Sequence, residues 1–462
     1  MPSSIRQALE ELPTTLDDTY ERMLQGISKE QKQHAHHLFQ CLVAASRPLR
    51  VEELAEIFAI KFDTDSVPNL MDHWRPENPE EAVLSACSTL IAIIDNGGTK
   101  IVQFSHFSVK EFLTSDRLRT SEFGNICHYF IPLDAAHSIL VRACITVLLQ
   151  LDENVDKARL AAFPLAFYAA EHWVDHAKIR EVASQVQDAM EQLLDPRKPY
   201  LAAWACWICD VDHGHDRRSI DDLPEHPPQP KGTALYYAAL CGLCDLAEHL
   251  IVACAEDVSA KCGRHGSPLH AAVYMGHLDI THLLLDYGAD ANLGIQDGKT
   301  PLVTAYRRRN LEAMALLLEH GGNPDVQYDS SGPISHDAAF RNDAKVIELL
   351  LQHKVDVHSR STGGKKWTLL HWVEDAKLAQ ILLDHGADIN ALDVDHNTPL
   401  YRAAGKGRLG VVRVLLGRGA DIHIRGKGDW TPFQAAKSWG RTEIAQLLLE
   451  HGAEDEQRGV GL

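Results

Sequence analysis

Apolar residues recur along this chain in short stripes at helical spacing, cut by turn-forming residues. "SSIRQALEELPTTLDDTYERML" reads as a helix, a Leu-Pro turn at Leu12 and Pro13, and a second helix from about Thr15. "KEQKQHAHHLFQCLVAA" predicts a helix over about 29–46. "SRPLR" breaks it before a helix from Val51 to about Ile60. The loop "TDSVPNLMDHWRPENP" leads to a helix from about Glu80 to Leu90. The pattern then changes: "LIAIIDNGGTKIVQFSH" reads as two strands around an Asn-Gly-Gly turn, and "FSVKEFLTS" opens another helix. Three helices followed by a hairpin is a winged-helix layout. The composition of "HSILVRACITVLLQL" and "IREVASQVQDAMEQLL" makes the stretch from 120 onward mostly helical.

The second half is self-similar, which decides its architecture. Seven units start at "TALYYAA" (Thr233), "SPLHAAV" (Ser267), "TPLVTAY" (Thr300), "PISHDAA" (Pro333), "TLLHWVE" (Thr368), "TPLYRAA" (Thr398) and "TPFQAAK" (Thr431), at steps of 34, 33, 33, 35, 30 and 33 residues. Most close on a Leu run and a Gly, as in "LLLDYGAD" and "LLLDHGAD". Thr or Ser caps a first helix, Pro suits its first turn, Ala permits close packing, and the closing Gly ends a second helix. No single unit buries its own apolar face, so stacking supplies the core. These units resemble the ankyrin repeat. The fourth unit lacks the Thr-Pro-Leu start and the fifth is three residues short, so looser stacking is expected at both. The stretch "GIQDGKTPL" holds the Gly-Lys-Thr of a phosphate loop, but the first Gly of that pattern would fall at Leu293. It reads instead as a hairpin tip, with Gly298 in the turn and Thr300 capping a helix.

Composition narrows the chemistry. The chain has 462 residues, 45% hydrophobic and 24% charged, with a formal net charge of −19. That sign gives no bulk attraction for nucleic acid or anionic lipid. The helix expected to read DNA in a winged helix carries Glu80 and Glu81 and no Lys or Arg. The start has no apolar leader core, and the run "ILVRACITVLLQL", 13 residues with Arg142 inside, is too short to span a bilayer. A cytoplasmic chain with reduced thiols is expected. Cys206/Cys209 and Cys241/Cys244 have C-x-x-C spacing, but the first pair sits in the apolar "AAWACWIC" and the second on repeat positions, so no metal is assigned. "HAHH" at 34–37 does not put three ligands on one helix face. No cofactor is expected, and neither a G-x-S-x-G nor an H-E-x-x-H pattern is present.

"LPTTLDDTYERML", "ASRPLRVEELAEIFAI" and "FSHFSVKEFLTS" together resemble the winged-helix segment of fungal NACHT-type STAND proteins, which are NLR-like. "FPLAFYAAEHWVDHA" and "YLAAWACWICDVD" resemble the helical blocks that precede their ankyrin arrays. The resemblance implies a winged helix that folds on a P-loop NTPase domain, with a His in an F-x-H-x-S-V-x-E-F-like motif facing bound ADP. The matching residue is His106, which in the isolated chain reads rather as a cap on the helix beyond the hairpin. The sequence carries no P-loop or Walker B strand, so this chain is expected to lack the NTPase and to be no enzyme.

The fold expected is mainly α: a winged helix and helical linker domain followed by an ankyrin-repeat solenoid. Its parts are a helical segment 1–28, a winged helix 29–118, a helical domain 119–209, a linker 210–232, seven repeats 233–454 and a tail 455–462. Positions seven and eight after each cap fall near the end of the inner helix, on the concave side. They hold Tyr274, Met275, Arg307, Arg308, Phe340, Arg341, Lys406 and Trp439. The hairpin tips add Lys365, Lys366, Trp367 and Trp430. Aromatic and Arg residues dominate interface energetics, so this stripe predicts a protein partner with acidic and apolar residues. Two functions follow. One is a non-enzymatic sensor or scaffold. The other is part of a nucleotide-dependent switch whose NTPase domain is missing from this chain and is supplied by another polypeptide in trans or by upstream sequence.

Overall fold

The computed structural model describes residues 15–62, 68–120, 126–152, 154–195, 197–204, 230–295, 299–329, 332–362 and 364–454. The expected first helix, the linker over 210–229, Gly298, the Cys206/Cys209 pair and the tail lie outside the described residues. Two compact units are present, Met1–Pro268 and Leu269–Leu462.

In the first unit, Thr15 and Asp18 form a reciprocal capping box for the helix Leu16–Gln25, each side chain accepting from the other's backbone N–H at 3.1 Å. The helix Lys32–Ala44 buries Leu38, Phe39 and Cys41. The next helix is shorter than its pattern suggests. It runs Val51–Glu56, tightens into a 3₁₀ turn at Ile57–Ala59, and gives way to a two-residue strand, Ile60–Lys61, paired with Asn69–Leu70. Asn78 and Pro79 start the third helix, Pro79–Cys87. The hairpin is as expected: Ile91–Asn96 pairs antiparallel with Thr99–Phe104, with Gly97 and Gly98 at φ +65° and +89° in the turn. A third strand, Leu49–Arg50, pairs with the other edge of Thr99–Phe104. Two residues carry no periodicity, so pattern alone could not show it.

The helices Leu133–Leu148 and Ala166–Ala177 follow. The Trp173 and Trp204 rings meet at 71°, 5.2 Å apart, both buried, and Trp204 Nε1 donates to the Ala170 carbonyl. The first repeat, helices Ala234–Cys241 and Cys244–Val252, belongs to this unit.

The second unit holds six further helix pairs, from Pro268–Met275 and Leu278–Asp286 to Pro432–Ser438 and Thr442–Glu450. Leu284, Leu317, Leu350, Leu382, Leu415 and Leu448 recur once per repeat and are each 0% exposed. Burying a leucine fully stabilises by roughly 1.5–3 kcal/mol, so this row alone is a large part of the core. Buried His270, His336 and His371 each donate from Nε2 to a carbonyl of the following repeat, on Lys299, Trp367 and Asn397, at 3.1–3.2 Å. Burial holds the His371 imidazole down at about 4 and His336 below its ordinary value.

The irregular repeats have specific structures. The fourth starts at Pro333, which offers no side-chain cap, and is preceded by a short hairpin of Gln327–Asp329 and Gly332–Pro333. In the fifth, the missing residues cut the inner helix to Leu369–Trp372. Its C-terminal carbonyls are taken by arginines of the sixth repeat. Arg408 Nη1 donates to His371 O at 3.4 Å and Val373 O at 3.0 Å, and Arg402 Nε donates to His371 O. Side chains thus close the lost turn.

Candidate functional site

The full-length inner helices of the second unit start at a fixed point of each repeat, so residues seven and eight positions on recur at the last turn. Thr300, Thr398 and Thr431 each accept from the backbone N–H three residues later. The helices then end at Met275, Arg307, Phe340, Lys406 and Ser438. Among the predicted residues Tyr274 is 37% exposed, Met275 48%, Phe340 58% and Trp439 66%. Arg307, Arg308, Arg341 and Lys406 are exposed as well. A folded chain ordinarily buries large apolar side chains, so three aromatic rings and a methionine recurring at two adjacent repeat positions form an apolar row rather than scattered surface.

The charged members are positioned by neighbours. The Arg308 guanidinium lies 4.5 Å from the Tyr274 ring centroid. Arg341 Nε donates to Asp337 Oδ2 at 2.6 Å, and the Tyr306 hydroxyl donates to the same oxygen at 2.6 Å. Arg307 and Arg341 also line one open cleft of about 730 Å³ between the third and fourth repeats, with Tyr306, Arg309, Met314 and Lys345.

The predicted tip residues divide. Trp430 is 37% exposed beside the turn Lys427–Asp429. Lys365 is tied to Asp395 Oδ2 at 2.7 Å, and the Lys366 carbonyl accepts from Arg360. Trp367 is only half-buried at the tip, because it is recruited into a stack. Its Nε1 donates to Asp393 Oδ2, Arg402 lies 3.5 Å over its ring, and Trp372 meets it edge-on at 4.3 Å, with Phe340 beyond at 5.2 Å from Trp372. Trp372, Arg309, Lys345, Arg402 and Arg408 escaped the sequence reading. The signal for the arginines was the short fifth unit. The signal for Arg309 was a non-glycine at the repeat's usual glycine.

In the first unit, His106 is the N-cap of Phe107–Leu113. The Ser108 N–H donates to its Nδ1 at 3.3 Å, Ser108 Oγ is 2.7 Å from the same nitrogen, and Tyr20 Oη is 2.7 Å from that hydroxyl. Accepting at Nδ1 leaves Nε2 as the donor, and the ring is exposed beside Phe107, which is 72% exposed. The helix Pro79–Cys87 presents Glu80 and Glu81 in its first turn, Glu80 paired with Lys100 of the hairpin. Among the described residues no group of three or more His, Cys, Asp or Glu side chains could hold a metal ion, and no helix is long and apolar enough to cross a membrane.

Comparison with known proteins bears on both units. Residues 223–329 and 335–426 match the family described as ankyrin repeats (3 copies), and residues 20–125 match the winged helix domain of GPI inositol-deacylase. The chain carries ankyrin repeats and a winged helix of the GPI inositol-deacylase type. The azaphilone pigments biosynthesis cluster protein L of Monascus ruber is 30% identical over 296 residues, 61% of each chain. Human BCL-6 corepressor-like protein 1 is 32% identical over 137 residues, 29% of this chain and 8% of that protein. The chain therefore spans under two thirds of these relatives' length. Among solved structures, the ankyrin repeat domain of Bcl-3 aligns with 23% identity and a TM-score of 0.41, over 48% of this chain and 99% of that one. The fold is mainly helical, a winged helix with helical segments followed by an ankyrin-repeat solenoid.

Proposed function

We propose that this chain is a non-enzymatic interaction protein that captures a protein partner on the inner-helix ends of its ankyrin array. The observation that carries this reading is the exposed row Tyr274, Met275, Phe340 and Trp439 at two adjacent repeat positions, interleaved with Arg307, Arg308, Arg341 and Lys406. Aromatic and Arg side chains lose little conformational entropy per contact and supply most hot spots. Trp430 extends the surface at a tip, and Lys365, Lys366 and Trp367 shape it through Asp395, Arg360 and Arg402. The matching partner surface carries acidic and apolar residues. Nucleic acid is not its ligand: the net charge of −19 and the acidic third helix of the winged helix both oppose it. The chain works in the cytoplasm in this reading. The test is comparative capture by the full chain and its Phe340→Ala/Trp439→Ala variant from the source cells. One or more proteins held by the wild type and released by the variant support the reading; identical sets from both reject it.

A second reading follows from the exposed His106–Phe107 pair. The NLR-like resemblance makes this face a contact for an NTPase domain in trans, with His106 Nε2 sensing the nucleotide. Calorimetric titration of ADP into the full chain checks whether it binds unaided; saturable binding lost in His106→Ala would favour this reading over the first.

A further inference from the structure

Each inner helix of a full-length repeat ends in a residue of left-handed conformation, nine positions after the cap. At four repeats this residue is Gly: Gly242, Gly276, Gly407 and Gly440, at φ +81°, +83°, +84° and +68°. At the third and fourth it is Arg309 and Asn342, at φ +57° and +58°. The conformation is forced by the turn, because Asn310 N–H returns to Ala305 O at 3.0 Å and Asp343 N–H to Ala338 O at 2.9 Å. Asn tolerates this region, but a long side chain with a Cβ is strained there. Both exceptions fall in adjacent repeats and line the same cleft of about 730 Å³. At Gly407, by contrast, a Cβ would lie 2.9 Å from Arg441 Nε, so the next repeat covers that turn.

The cleft's charge is lopsided in an acidic protein. Arg307, Arg309, Arg341 and Lys345 line it against Asp337 and Asp343. Both carboxylates are engaged: Asp337 accepts from Tyr306 and Arg341, and Asp343 accepts from the Val346 N–H at 3.3 Å. Arg309 and Lys345 are left without an ion-pair partner among the described residues. The floor is apolar, with half-buried Leu311 and Ala344 over buried Met314 and Val346. Strain retained at an exposed cation, beside a second cation, over an apolar floor, matches a site kept for binding rather than for stability.

We infer that this cleft seats an acidic segment of the partner protein, its carboxylates on Arg309 and Lys345 and an apolar side chain against Leu311 and Ala344. This rests on the array being a protein-binding surface and names the chemistry of what it holds. Arg presents a planar fork that suits carboxylates, and screening by salt follows from the contact being charged.

The test uses the full chain and a fluorescein-labelled peptide of glutamate pairs alternating with leucine, with its glutamine counterpart as control. Anisotropy should show saturable binding of the glutamate peptide alone, weakened by added salt. Arg309→Gly should weaken it at least about five-fold while raising the melting midpoint by about 2 °C, because glycine relieves the left-handed strain. The paired gain and loss is not produced by a variant that folds poorly. Equal binding of the glutamate peptide by both chains, or no preference over the glutamine peptide, would overturn the site. That outcome leaves the capture experiment on Phe340 and Trp439 standing, so the two failures are separable.

Discussion

The two units differ in how they use charge. In the first unit carboxylates and a histidine are turned inward. Glu53 is 1% exposed, takes both Arg47 guanidinium nitrogens at 2.8 and 2.9 Å, and accepts the Arg50 N–H at 2.7 Å. Glu56 is buried against Arg75 and the Leu165 N–H. His176 is buried between the Tyr168 hydroxyl and His137 Nδ1, each at 2.9 Å. In the array the interior is mostly leucine and alanine, its buried polar groups are chiefly cap residues and histidines bonded to the next repeat, and cations and aromatic rings stand at the surface. Interior polar groups specify a local arrangement and leave little to bind with. A leucine core is indifferent to its surface, so the surface residues are free to serve a partner.

The largest effect that sharpens this contrast is acidification. Burial holds His176, His36 and His371 at about 4, below the 6.5 of an unfolded histidine. The unfolded chain therefore takes up protons that the folded chain refuses. The histidines' share of the stability is full above about pH 6.5 and falls as pH drops from there toward 4, while Glu56, raised by burial to about 7, works the other way as it takes up its proton. Denaturant melts across that window should show loss in both units, earlier than carboxylate titration would give it.

Next comes Glu53→Ala, which takes the carboxylate from half-buried Arg47 and from the Arg50 N–H and should cost about 2–3 kcal/mol in chemical denaturation. A loss below about 1 kcal/mol would mean the inward pairing is dispensable. Arg408→Ala should cost about 2 kcal/mol, since it frees the Val373 carbonyl of the shortened helix and leaves the His371 carbonyl with Arg402 alone. Protease nicking near residue 373 would locate that loss. The smallest effect belongs to the surface: Trp439→Ala should change stability by less than about 0.5 kcal/mol. A large loss there would assign Trp439 to the fold and remove it from the binding row.

What could be read from the sequence follows the same division. The array was legible because its caps, leucines and glycines repeat at a near-constant step, and the hairpin because Asn96, Gly97 and Gly98 permit little else. The Leu49–Arg50 strand was not, because its pairing with Val102 and Ile101 is a tertiary fact. The row from Tyr274 to Trp439 could be placed by counting from the caps. The stack of Trp367 on Arg402, and the role of Arg408, depend on a lost turn that counting registers only as a shorter step. Arg309 stood in plain view as an arginine in a glycine column, yet its meaning needed the dihedral angle and the cleft beside it.

The central claim is that the exposed inner-helix ends are the working surface. Hydrogen exchange of the full chain, alone and with a captured partner, tests it most directly. Slowed exchange centred on residues 274–276, 306–309, 339–342 and 437–440, with the outer helices and the winged helix unchanged, is the predicted result. Protection confined to the winged helix around His106, with none at the inner-helix ends, would contradict it.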